Sequence, residues 1–156
     1  MPEINNIWPG ANPVTVRASA ALPAAGAYDL APTEIPTANI QNIQFYITYT
    51  RNAQSVSGLL LMHFEWSPYS ADVGGVQSWF RLPCISCGTV TSKSDTTQSV
   101  QRNVVSYGAT GAGAENFVYP DGPMILDVTV ERLRVACAEG GDTNNPGTAH
   151  IVATML

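Results

Sequence analysis

The stretch Ile43-Gln44-Phe45-Tyr46-Ile47-Thr48-Tyr49-Thr50, followed after a short connection by Leu60-Leu61-Met62-His63-Phe64-Glu65-Trp66, decides the fold. Ile43, Phe45, Ile47 and Tyr49 share one face of the first segment. Leu60, Met62, Phe64 and Trp66 share one face of the second. A repeat of two puts successive side chains on opposite sides of an extended chain, so both segments read as strands with one face buried. The pattern specifies a sheet and not a chemistry.

Working outward, extended segments are expected at 14–18, 28–35, 39–50, 57–67, 77–82, 100–107, 116–119, 124–130, 133–137 and 148–155. Pro32 and Pro36 assign the 28–35 segment to a sheet edge, because proline cannot donate to a ladder. Trp79 is expected in the core, Pro120-Asp121-Gly122-Pro123 in a turn, and the phase change at Glu131-Arg132 in a β-bulge. No amphipathic helical period persists, and no internal repeat of 20 to 50 residues is found. Short strands separated by Gly, Pro and Asn loops predict an all-β antiparallel sandwich, with the jelly roll as the expected version. The expected organisation is an extended arm over 1–13 and a single domain over 14–156.

Only 12% of the residues are charged, about half the roughly 25% of ordinary soluble domains. The surface is therefore largely neutral and polar, which suits a chain that packs against copies of itself or against another protein. A monomer solubilised by Asn, Gln, Ser and Thr is the alternative. The net charge of −5, with seven Lys and Arg set singly along the chain, offers no basic patch for a phosphate backbone, so no nucleic-acid partner is expected. Residues 1–6 lack a basic and apolar leader pattern, and no apolar run approaches the roughly 18 residues that would span a bilayer. Synthesis in the cytosol without a membrane partner is expected.

Cys84-Ile85-Ser86-Cys87-Gly88 has the spacing of half a zinc knuckle. Completing a site requires Cys137 to meet His63 or His150. Redox chemistry would need a helix N-terminus at the first cysteine, and the following residues read as strand or loop. Inert thiols, with no metal and no cofactor, are the expectation. The loops around Asp72-Val73-Gly74-Gly75 and Gly141-Asp142-Thr143-Asn144-Asn145 offer oxygens to a hard cation, but turn formation accounts for both. No nucleophile lies in an elbow of the Gly-x-Ser-x-Gly kind, and His63 is expected on the partly exposed face of its strand. Glu65, Asp72, Asp127 and Glu131 supply carboxylates, yet nothing selects the pair that glycoside hydrolysis requires. No catalytic residue is assigned, and the chain is not expected to be an enzyme. Stacking of aromatic faces on sugars is the chemistry of a glycan-binding module. Trp66 and Trp79 follow the inward phase, which leaves Trp8 and Tyr69 for such contacts.

Phe45-Tyr46-Ile47-Thr48-Tyr49-Thr50-Arg51-Asn52, a strand ending Glu65-Trp66-Ser67, a glycine loop and Trp79-Phe80-Arg81 together resemble small β-sandwich virion proteins of tailed bacteriophages. Leu133-Arg134-Val135, Glu139-Gly140-Gly141 and Pro146-Gly147-Thr148-Ala149-His150-Ile151 resemble the late strands and loop of the same proteins. The resemblance spans roughly 39–155 and does not account for the cysteine pair or the arm. It implies a jelly-roll capsid decoration or cement protein, located in the virion, commonly a homotrimer, with the major capsid protein as partner. Under that reading Ile4, Ile7 and Trp8 of the arm, and Tyr69, are the expected partner-binding residues. A glycan-binding module, receptor-binding or tail-associated, is the alternative.

Overall fold

A computed structural model describes residues 13–81, 104–109, 114–126 and 130–155. Nine strands are described: β1 (Val14–Ala21), β2 (Glu34–Pro36), β3 (Asn42–Thr50), β4 (Gly58–Ser67), β5 (Phe80–Arg81), β6 (Val104–Ala109), β7 (Ala114–Ile125), β8 (Arg132–Glu139) and β9 (Thr148–Met155). They form two antiparallel sheets, one ordered β1-β9-β3-β7 and the other β2-β8-β4, with β5 and β6 sharing the far edge of β4. Consecutive strands alternate between the sheets almost throughout. Counting β5 and β6 as one position leaves eight, in the order of a jelly roll.

The two strands that decide the fold do not pair with each other. β3 lies between β9 and β7, and β4 lies in the other sheet beside β8. Their apolar faces meet across the core, where the Phe45 and Phe64 rings are 5.1 Å apart. Ile43, Phe45, Ile47, Tyr49, Leu60, Met62, Phe64, Leu133, Val135, Cys137 and Ile151 are all buried in that one cluster. Trp66 packs at its margin.

Three local expectations are corrected. The phase change at Glu131-Arg132 is no bulge within a strand: β7 belongs to one sheet and β8 to the other, so the pattern changes because the chain changes sheets. Pro120-Asp121-Gly122-Pro123 does not separate two strands but lies inside β7, where the register jumps from Tyr119↔Phe45 to Met124↔Ile43. Four residues oppose one, a bulge that suits prolines without amide donors. Residues 28–33 are not a strand. They belong to a strap between β1 and β2 that crosses the outer face of the β8-β4 sheet, where Tyr28 packs on Leu61 and Ala138. Residues 1–12 of the expected arm, Cys84 and Cys87 lie outside the described residues.

Candidate functional site

Three polar assemblies hold the sandwich, and the second takes up Asp72 and Glu65, two of the carboxylates that the sequence offered for chemistry. The first is built on Glu139 at the end of β8, which is 1% exposed. Its Oε1 accepts from the backbone N–H of Leu59 (2.9 Å) and of Gly141 (2.8 Å). Its Oε2 accepts from the Tyr49 hydroxyl (2.7 Å) and the Gly147 N–H (3.0 Å). Four donors on two oxygens suit an ionised carboxylate, which is acceptor-only. Burial, reinforced by the bond to Glu139, holds the Tyr49 phenol above its ordinary range and hence protonated as a donor. The group ties β3 of one sheet to β4 of the other. Glycine makes room for it: a Cβ on Gly147 would lie 2.6 Å from both the Thr50 carbonyl oxygen and the Tyr49 ring, and one on Gly58 would strike the Tyr49 hydroxyl.

Arg132, at the start of β8, builds the second. Its guanidinium donates to Glu34 Oε2 (2.7 Å), Asp72 Oδ1 (2.7 Å), the Tyr69 carbonyl (2.7 Å) and Ser67 Oγ (3.3 Å). Trp79 lies against the same group, its ring centroid 4.7 Å from the Arg132 guanidinium carbon and 4.0 Å from that of Arg134. Arg134 in turn donates to Glu65 at 2.7 Å. Trp79 is therefore outside the core, on the outer side of β8, and its expected inward placement is corrected. Strand periodicity was extended through a residue that precedes the two-residue β5, and an arginine pair supplied a better stacking surface than the core. The hydrogen bond from Arg132 holds the Asp72 carboxyl below its ordinary value.

The third pins the strap. Asp29 accepts from Arg17 through both carboxylate oxygens (3.0 and 3.2 Å) and from the Cys137 N–H (3.0 Å), while its own N–H donates to the Cys137 carbonyl (2.9 Å).

The three placements exclude a zinc centre built from Cys137 and a histidine. Cys137 faces the core, and burial raises its thiol pKa well above the ordinary range. His63, one register step away on β4, points to the opposite side under Tyr28, and His150 shares the outer face of the other sheet with Thr48. His63 is 7% exposed, so its expected partial exposure is corrected: the strap covers it. Asp142 also spends its oxygens locally, accepting from the Asn144 N–H (3.2 Å) and the Asn145 side chain (3.0 Å). Among the described residues no group of three or more His, Cys, Asp or Glu is placed to hold a metal ion.

The two outer faces of the sandwich differ. That of the β8-β4 sheet lies under the strap and against Trp79. On the other sheet, Gln44, Tyr46 and Thr48 of β3 stand beside Thr154, Val152 and His150 of β9 in direct register. Tyr46 is 41% exposed at the centre, and Thr48 donates a hydrogen bond to Asn116 of β7 (2.9 Å). None of these residues is Asp, Glu, Lys or Arg, and no described segment lies over them. Of the expected contact residues, Tyr69 follows β4, half-buried, its carbonyl held by Arg132. Ile4, Ile7 and Trp8 fall outside the described residues. The uncharged face was missed in the sequence reading, although its signal was present: the even positions of β3 are all neutral.

No protein-family model matches the chain, and no curated protein matches it significantly.

Proposed function

We propose that this chain is a structural virion protein, a decoration or cement subunit that binds the outer surface of a capsid shell and bridges its capsomers. The observation that carries the reading is the asymmetry of the sandwich. One outer face is covered by the chain's own strap, and the other, over which no described segment lies, presents uncharged residues of β3 and β9 around an exposed tyrosine. A subunit of net charge −5 associates with least repulsion through a surface without charge, and a tyrosine among hydroxyl and amide side chains supplies apolar area with hydrogen-bonding edges. The carboxylates of Glu139, Asp29 and Asp72 are taken up in structural bonds, which favours a binding role over catalysis.

The mechanism is thermodynamic. A subunit that binds only the mature shell adds its binding free energy to that shell, and linked copies multiply the effect through effective concentration. Homotrimers, with Ile4, Ile7 and Trp8 of the arm reaching a neighbour, complete the proposal. Native mass spectrometry of the purified chain, followed by co-sedimentation with emptied and filled heads, tests it. A metal-free trimer that coats particles, and loses coating when residues 1–12 are deleted, is the expected result. A monomer that ignores shells and is captured on a glycan array overturns it.

A further inference from the structure

His63 is the one buried histidine of the described structure, and no bond of the three assemblies uses it. Its Nδ1 is enclosed without a hydrogen-bond partner, and its Nε2 is 3.8 Å from Glu65 Oε1. The Tyr28 ring lies over the imidazole at a centroid distance of 4.3 Å. Charged and titratable groups face it from every packed element: Tyr28 and Asp29 on the strap, Glu65 on β4, Arg81 on β5 and Arg134 on β8. Its register partners, Val104 on β6 and Ala136 on β8, carry no ionisable group.

We propose that the strap over the outer face of the β8-β4 sheet is an acid-operated cover, released when His63 takes up a proton and must find water. A neutral imidazole fits the site because it can leave Nδ1 bare. An imidazolium carries a second N–H, which has no acceptor among the described residues and stands in the field of Arg81 and Arg134. Lifting Tyr28, whose ring lies over the imidazole, supplies solvent and disturbs a small cluster of Leu59, Leu61 and Ala138 that is separate from the main core. The sandwich therefore stays folded while the cover opens. Opening would uncover Leu61 and Ala138 and so give the molecule a second, apolar face at low pH. This inference is independent of the virion reading, since it concerns the opposite sheet.

Burial first, then Arg81 and Arg134, pull the His63 pKa down to about 4, against the opposing charges of Glu65 and Asp29. A group that binds protons less well when covered favours the covered state fully above about pH 6.5. That preference is lost as pH falls from there towards the covered-state pKa. Between pH 7 and pH 5 the population with the cover open should rise about twenty-fold on this linkage.

Hydrogen exchange of the full chain across that range, corrected for intrinsic rates, reads the opening directly. Protection of residues 27–33 and of the Cys137 amide should fall about twenty-fold while β3 and β9 keep theirs, and His63→Phe should abolish the pH dependence. NMR titration of the His63 imidazole in the unaltered protein gives a second measurement that needs no variant: its midpoint should lie well below 6.5. Strap protection that does not change with pH, an equal fall in His63→Phe, or an imidazole titrating at the ordinary value would each overturn the proposal.

Discussion

Glu139 is the residue on which most of the described structure converges. Its oxygens satisfy three backbone amides and one phenol, and the bonds from Tyr49 and Gly147 are buried, so removing their acceptor leaves buried donors unpaired. Glu139→Gln keeps the shape but turns an NH2 towards one of those donors, and should lower unfolding free energy by about 2–4 kcal/mol in a urea titration. Tyr49→Phe removes a single bond and leaves Oε2 with the Gly147 amide, so a loss of about 1–2 kcal/mol is expected. If the two variants cost the same, the carboxylate is not the organising group. Cys137 offers an independent check on the core. With its thiol at 0% exposure and its thiolate disfavoured by burial, native protein should not be alkylated there, and denatured protein should be, as peptide mass mapping would show.

At the scale of elements, the loop between β4 and β5 is held by Arg132 and by the stacking of Trp79 on two arginines rather than by a strand. Trp79→Ala should therefore loosen residues 68–79 and leave the sheets intact, seen as new protease cleavage within the loop at nearly unchanged melting temperature. A large loss of global stability would mean that the indole belongs to the core after all. The phase break between β7 and β8 illustrates how an element can be legible and its partner illegible. Alternation marks both segments as extended, but two strands in one sheet with a bulge and two strands in opposite sheets produce the same local pattern. What distinguishes them is which surface closes over each face, and that is set by β3 and β4 at a distance in sequence. The strap has a related origin: the prolines indicate a sheet edge, which holds for Glu34–Pro36 in β2, whereas residues 28–33 leave the ladder and meet Cys137 and His63, far along the chain.

For the whole molecule, one outer face is covered by the strap and no described segment lies over the other, and the proposed decoration role rests on that contrast. Tyr46→Lys combined with Val152→Lys puts two charges at the centre of the bare face without touching the core. Self-association or shell binding should fall by at least tenfold while the melting temperature moves little. Retention of both would move the contact surface elsewhere on the molecule. By itself the sequence determined an all-β chain, a surface poor in charge, and the core residues Ile43, Phe45, Ile47, Tyr49, Leu60, Met62 and Phe64. Those follow from periodicity and composition, which are local. Only the tertiary structure decided that β3 and β4 face each other instead of pairing, that Glu139 is a buried clasp, that Trp79 rests on arginines and that His63 lies beneath a strap. Each of these depends on groups brought together from distant parts of the chain by the sheet order, and a local pattern carries no record of which distant residue will arrive opposite.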